Sequence, residues 1–292
     1  MTLHPLLVSS LSDFPIAPPN IASHGTNKAG QAVLLVMLAA TFVVIYGLAY
    51  RFKVRYGTWV PLLVTAGATF SAVIEPLPDA VANLWYYTPG QTSIYHAYGN
   101  GMPVWTFLSY TVYYGGIGML FWWLIERGAT RKRIAQICVP IAIYLGAGEL
   151  FFIHALHVYT YHGPAAFKVW GYPAWIPLLN TAIVTSIGAG MARLRRSIPA
   201  GDQAFPAFLL PSVAMVLGLL VVPMAVWTTI HSTNPNMTLV WLTTIVTIVL
   251  ALGVIRTAIR MFPAEGFSPM MPVGSAPAAA PAPVRSVAAS RT

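Results

Sequence analysis

The amino-acid sequence predicts an all-α, polytopic membrane protein: a seven-transmembrane-helix bundle with its N-terminus outside and its C-terminus in the cytoplasm. Three observations carry that prediction. The 292 residues are 57% hydrophobic and 8% charged, with a mean hydropathy of +0.68, which leaves too little polar surface to solvate a globule of this size. Apolar runs of spanning length, about 20 residues, recur at 31–50, 56–74, 104–125, 134–156, 174–194, 207–230 and 239–259. The basic residues fall almost entirely in alternate loops. A closed barrel also satisfies every backbone group in lipid, but its strands would alternate apolar and polar residues, and these runs do not.

Residues 1–30 are read as an N-terminal extracytoplasmic segment. They contain Pro and Ser and no basic stretch leading into a short apolar core, so the first span is expected to insert uncleaved. Residues 31–260 form the seven-helix membrane domain. The first loop carries Arg51, Lys53 and Arg55, the third Arg127, Arg131, Lys132 and Arg133, and the fifth Arg193, Arg195 and Arg196. With Arg256, Arg260, Arg285 and Arg291 of the tail, these are fourteen of the sixteen Lys and Arg residues, against Lys28 and Lys168 on the opposite side. Cytoplasmic loops are enriched in such residues, so this asymmetry sets the orientation. The net charge of +9 is therefore a topology signal with some attraction to anionic lipid. Scattered through short loops, these charges give no support to nucleic-acid binding. Residues 263–292 are Pro- and Ala-rich, with SAPAAAPAPV from Ser275 to Val284, and are expected to be a disordered cytoplasmic tail.

The single cysteine, Cys138, excludes an internal disulfide and a Cys-rich metal site. The lysines, Lys28, Lys53, Lys132 and Lys168, all lie in termini or loops, so a retinal-type Schiff base within the bundle is excluded as well. No internal repeat is evident, and an odd span count argues against the inverted repeats of many secondary transporters.

Seven acids occur in the whole chain, and three of them, Glu75, Asp79 and Glu149, fall inside or against apolar spans. A carboxylate costs several kcal/mol in hydrocarbon unless it faces a cavity, finds a partner or handles protons. Glu75 and Asp79, four apart in IEPLPD, would share a helical face, but Pro76 and Pro78 disturb the backbone between them. Asp79 also reads simply as a helix-end residue. Glu149 follows Gly146 and Gly148 in the fourth span. By the charge count, all three carboxylates lie toward the outer side.

Histidines gather on that side: His154, His157 and His162 follow Glu149, His96 lies in the second loop, and His231 ends the sixth span. His154 and His157 are three apart, which permits a metal site with Glu149 or Asp79 but equally suits interfacial hydrogen bonding. No metal or other cofactor is assigned. As groups that carry protons near neutral pH, both are candidate partners of the carboxylates. Aromatic residues crowd the same region, among them Trp85, Tyr86, Tyr113, Tyr159 and Tyr161. Part of this is an interfacial belt, but the outer loops, 76–103 and 157–173, are long in the manner of lids, and ring faces shelter cations.

The acid–proline pair Glu75-Pro76 followed by Asp79 and Asn83, the aromatic outer loop, and GELFF with Val158-Tyr159-Thr160-Tyr161-His162-Gly163-Pro164 resemble the AveC-like spirocyclase family of actinobacterial membrane proteins. The similarity covers about residues 35–260 through short motifs. It implies spiroketal formation, in which a hydroxyl closes on a ketone or hemiketal with loss of water, and it implies that Glu75, Asp79 and Glu149 are the acidic motif residues. Glu75 stands where the family pattern has Asp.

The chemistry suits the residues. An acid must protonate the departing hydroxyl, a base must take the proton of the attacking one, and an oxocarbenium-like transition state needs stabilising. Glu149 is read as the acid, Glu75 or Asp79 as the base, and His154 or His157 as an orienting or relay group. Trp85, Tyr86, Tyr113, Tyr159, Tyr161 and Asn83 are read as substrate-binding. The expected partner is a lipophilic, polyketide-like small molecule in the cell membrane. A terpene cyclase protonating an isoprenoid needs nearly the same parts, and a non-catalytic transporter or lipid-binding protein would use the acids for translocation. Small residues such as Gly115, Gly116 and Gly118, or Gly188 and Gly190, suit helix packing within the chain or in a homo-oligomer.

Overall fold

A computed structural model describes residues 19–87 and 89–274. Residues 1–18 of the expected N-terminal segment, with His4, and residues 275–292 of the expected disordered tail, with Arg285 and Arg291, lie outside the described residues; the first part of that tail, 263–274, is described and hydrogen-bonded to the bundle. The described chain is mostly helical, and its longer helices group into seven rods. The first is α1, Lys28–Tyr56. The second joins α2, Val60–Ile74, to α3, Pro76–Ala82, across a 53° bend. The third is α4, Val104–Tyr110, running through a π-helical stretch, Thr111–Ile117, into α5, Gly118–Glu126. Then come α6, Arg131–Ala155, and α7, Ile176–Ser197. The sixth rod is α8, Ala204–Val221, with α9, Met224–Ile230. The last is α10, Met237–Arg260.

Local chemistry sets the ends. Asn27 caps α1 by accepting from the Gly30 N–H at 3.1 Å, and Gly57 closes it with φ at 67°. Thr130 caps α6 through the Arg133 N–H, and Asn236 caps α10 through the Thr238 N–H at 2.9 Å. The turn at 57–59 shortens the expected second span at its start, since Gly57 stops α1 and Pro61 opens α2 within its first turn. The bend between α2 and α3 falls at Glu75, where Pro76 and Pro78 have no N–H to continue the ladder.

Four helices, α1, α6, α8 and α10, are long and apolar enough to cross a membrane, and the bent α2–α3 pair would make a fifth. The other two rods have physical reasons to differ. The third is broken by its π stretch. Helix α7 is buried on nearly every side, with Thr181, Thr185, Gly188 and Gly190 in its interior face. A helix surrounded by helices has no lipid to satisfy, so hydroxylic and small residues replace Leu and Val there. It packs against α5, α6, α8 and α10. By contrast α1 and α10 leave Val36, Val43, Val44, Val249 and Leu252 exposed.

Hydroxyls also bind the rods together. Tyr46 of α1, Thr69 of α2 and Thr111 of the third rod form a chain, with steps of 3.0 and 2.6 Å.

The expected all-α class needs one addition. Six short strands occur in the long loops, paired two by two. Strand β1, Leu84–Tyr86, pairs antiparallel with β4, Tyr159–Tyr161. Strands β2, Ser93–Ala97, and β3, Asn100–Pro103, form a hairpin, as do β5, Lys168–Val169, and β6, Tyr172–Pro173. Aromatic and β-branched residues between turn residues favour this.

The two ends of the bundle differ in chemistry. The strands gather at one end, where a His231 ring nitrogen meets the Val81 carbonyl at 2.9 Å. At the other end Glu126, 1% exposed, accepts from Arg195 at 3.2 Å and from Arg196 at 2.8 Å. The chain after α10 returns across that end. Arg131 donates to the carbonyl of Phe262 at 2.7 Å, Met270 N–H to Glu126 at 2.9 Å, and Val273 N–H to Arg55 at 3.0 Å.

Close helix packing rests on glycine. A Cβ on Gly67 of α2 would lie 1.9 Å from the Phe208 carbonyl oxygen, and one on Gly188 of α7 would lie 2.4 Å from the Phe121 Cβ. Gly67→Val and Gly188→Val are each expected to destabilise the bundle by about 1–3 kcal/mol, read as a lower thermal midpoint in detergent. Gly47→Ala, which meets nothing within 4 Å, should leave the midpoint unchanged or slightly raised.

Candidate active site

The three carboxylates meet. Glu75, Asp79 and Glu149 line one cavity of about 80 Å³ among the second to sixth rods, beside the β1–β4 pair. Glu75 sits at the vertex of the α2–α3 bend and Asp79 one turn further, buried at 4% exposure. Glu149 comes from α6, just before its backbone widens into the π stretch Phe151–Ala155. Gly148 makes that approach possible, because a Cβ there would lie 2.8 Å from the Tyr113 hydroxyl.

Backbone irregularity surrounds the cavity. Besides the proline bend, three π stretches border it: Thr111–Ile117 supplies Tyr113 and Tyr114, Phe151–Ala155 supplies Phe152, and Val216–Val221 supplies Leu219. Such bulges recur at functional sites because they turn side chains that an α-helix would stagger onto one place. Pro223 has no N–H to give the Leu219 carbonyl, and the Trp227 indole donates to it instead at 2.7 Å, which fixes that ring on the cavity wall.

The strand register explains which loop aromatics reach the site. In the β1–β4 pair Tyr86 lies opposite Tyr159 and Leu84 opposite Tyr161, and all four line the cavity. Trp85 and Thr160, the pair between them, belong to the other face, because side chains alternate along a strand. The rings pack on one another: Tyr86 meets Trp105 edge-on at 5.4 Å, and Trp105 stacks on Tyr159 at 6.0 Å.

Tyr159 donates a short hydrogen bond to a Glu149 carboxyl oxygen, and Tyr86 lies within electrostatic reach of Asp79 and Glu75. Burial first, and then these carboxylates, push the Tyr86, Tyr159 and Tyr161 phenols well above their ordinary range. Tyr95, in the hairpin, is pushed up to about 12 by burial and then by Glu75. These phenols therefore stay protonated near neutral pH and act as donors. The Tyr95 hydroxyl donates to the Val73 carbonyl at 3.0 Å, tying the hairpin to the last turn before Glu75.

Several polar atoms remain available to a ligand. Among the described residues, Glu75 Oε2, Asp79 Oδ2, Thr106 Oγ1 and the Tyr110 hydroxyl make no hydrogen bond of ordinary geometry, and all four residues line the cavity. A buried polar atom is costly unless it is hydrogen-bonded, so these atoms mark where a polar substrate group would gain most.

Of the residues singled out by sequence, Glu75, Asp79, Glu149, Tyr86, Tyr113, Tyr159 and Tyr161 come together here. His154 and His157 do not. A His154 ring nitrogen lies 2.9 Å from the Trp170 carbonyl, and His157 is exposed at a turn with φ at 50°. Asn83 and Trp85 line a separate small recess with His162. Asn83 ends α3 with φ at 56°, and its carbonyl accepts from His162 N–H at 2.9 Å, which is a structural role. Among the described residues, no group of three or more His, Cys, Asp or Glu side chains is placed to hold a metal ion.

Sequence reasoning did not select Asn180 and Trp227. Asn180 is a lone amide in the apolar run IPLLNTAIV and accepts from the Tyr114 hydroxyl at 3.1 Å. A polar residue so placed was its available signal. Trp227 had none, since its position depends on the π stretch before it. Comparison of the chain with family models, curated proteins and solved structures gives no match in any of the three.

The Tyr159–Glu149 contact leads to a direct expectation. Tyr159→Phe should shift the carboxyl stretching band that Glu149→Gln removes from the infrared spectrum. It should also destabilise the fold by about 1–3 kcal/mol, the cost of leaving a buried polar group without its partner.

Proposed function

We propose that this protein is a multi-pass cell-membrane enzyme that carries out acid/base cyclisation with loss of water on a lipophilic, polyketide-like substrate, as the AveC-like spirocyclases do. The observation that carries this reading is the convergence of Glu75, Asp79 and Glu149 on one cavity walled by tyrosine and tryptophan rings. In this proposal all seven rods cross the bilayer, with the N-terminus outside. The gathering of the first and third loops and the segment after α10 at one end, with Arg195 and Arg196, supports that topology.

Glu149, steadied by Tyr159, gives its proton to the departing hydroxyl of a hemiketal, and water leaves. The oxocarbenium ion that forms lies among the Tyr86, Trp105 and Tyr159 rings, whose faces favour positive charge. The second hydroxyl of the substrate then adds to that carbon, and its proton passes to Glu75 or Asp79. The product is the substrate less one water, and the pocket is restored when a proton returns to Glu149. Neutral Tyr86 and Tyr113 hold substrate oxygens by hydrogen bonds. His154 and His157 have no part in these steps, because neither borders the cavity.

The cavity admits only a few atoms of substrate at a time, so the β1–β4 pair and the β2–β3 hairpin act as a lid that yields to admit the reacting end. The same ring faces would serve a terpene-type cyclase that protonates an isoprenoid, and the substrate distinguishes the two. The test is incubation of the purified protein with keto-diol and polyprenyl substrates, followed by mass spectrometry. Loss of one water from the keto-diol is expected. Glu149→Gln should keep the fold and lower that turnover at least about 100-fold, the scale of a general acid. Full turnover in that variant would overturn the assignment, and substrate or proton flux in proteoliposomes without any chemical product would favour a transporter.

A further inference from the structure

A second site lies at the opposite end of the bundle, between α1 and the third rod. There a groove of about 340 Å³ opens on the surface, within the size range of about 300–1,000 Å³ typical of small-molecule sites. Its two walls follow helical spacing. On α1, Leu48 is followed at three, four, seven and eight residues by Arg51, Phe52, Arg55 and Tyr56. On the facing rod, Gly116, Met119 and Leu120 lead to Trp123 and Arg127. Each wall therefore runs from an apolar floor to an arginine rim.

The rim is positively charged and uncompensated. Among the described residues, the ion pairs are those of Glu126 with Arg195 and Arg196, so no carboxylate pairs with Arg51, Arg55 or Arg127. All three are exposed. Two of them rest on ring faces, Arg55 over Tyr56 at 5.5 Å and Arg127 over Trp123 at 5.0 Å, an arrangement that holds a guanidinium without using its donors. Residues 275–292 add Arg285 and Arg291 and no Asp or Glu to the charge of the chain.

We infer that this groove binds an anionic phospholipid, its phosphate held by Arg51, Arg55 and Arg127 and one acyl chain lying on Leu48, Phe52 and Leu120. Guanidinium groups match phosphate oxygens two at a time, and basic pockets between membrane helices bind such headgroups. The apolar floor distinguishes a lipid from a free phosphate. The site is separate from the carboxylate cavity and does not depend on the proposed reaction.

The test is native mass spectrometry of the full-length protein with phosphatidylglycerol, phosphatidylcholine and inorganic phosphate. Phosphatidylglycerol should bind at least tenfold more tightly than phosphatidylcholine, and inorganic phosphate should not displace it at equal concentration. The triple variant Arg51→Gln, Arg55→Gln, Arg127→Gln should lose at least tenfold in phosphatidylglycerol binding. Leu120→Trp, which keeps every arginine and fills the floor, should weaken it as well, so the result does not rest on one variant folding. Equal binding of the two lipids, displacement by phosphate alone, or unchanged binding in both variants would overturn the inference.

Discussion

Everything at the candidate site depends on one constraint: inside a bundle that excludes water, a backbone that leaves the α-helix must find other partners for its N–H and C=O groups. Three rods leave it next to the same cavity, and the second bends there at Glu75. The consequences are local and specific. The Leu219 carbonyl, without an N–H from Pro223, is met by the Trp227 indole, and the Val73 carbonyl is met by the Tyr95 hydroxyl. The interruptions and the side chains that complete them thus build the aromatic wall. The carboxylates take the space that regular helices would have closed.

The helix interior and the opposite end supply the rigidity that such interruptions remove. Helix α7, buried along most of its length, gives the neighbouring rods a common surface. Glu126 with Arg195 and Arg196 joins the third rod to α7, and Arg196 lies 3.7 Å from the centre of the Phe267 ring in the returning chain. One end is fastened by charge and backbone hydrogen bonds. The other, where the cavity lies, is covered by short strands.

Much of this was legible in the sequence because cost is legible. A carboxylate in an apolar run stands out whatever its neighbours, and Glu75, Asp79 and Glu149 were found that way. The apolar stretches foretold a mostly helical chain, in which four helices, or five with the bent pair, are long and apolar enough to cross a membrane. The π stretches were not legible, since TVYYGGI and VLGLLV contain nothing that distinguishes π from α geometry. Trp227 was missed for that reason. Trp85 was placed with Tyr86 because strand pairing was not foreseen, and alternation along β1 sends them to opposite faces. His154 and His157 were grouped with Glu149 by nearness in sequence, but the chain turns at His157 and takes them out of the cavity.

The Glu149–Tyr159 hydrogen bond joins a helix to a covering strand, and the Tyr86 phenol, on the strand beside it, lies within electrostatic reach of Asp79. In the proposed function, where these strands act as a lid, lid position and proton occupancy are linked quantities. If the lid prefers one protonation state of the acids, then protonating or deprotonating them must bias the lid by the same free energy. Such reciprocity would let the arrival of a substrate, by shifting the strands, set the proton inventory of the pocket before any bond is made or broken.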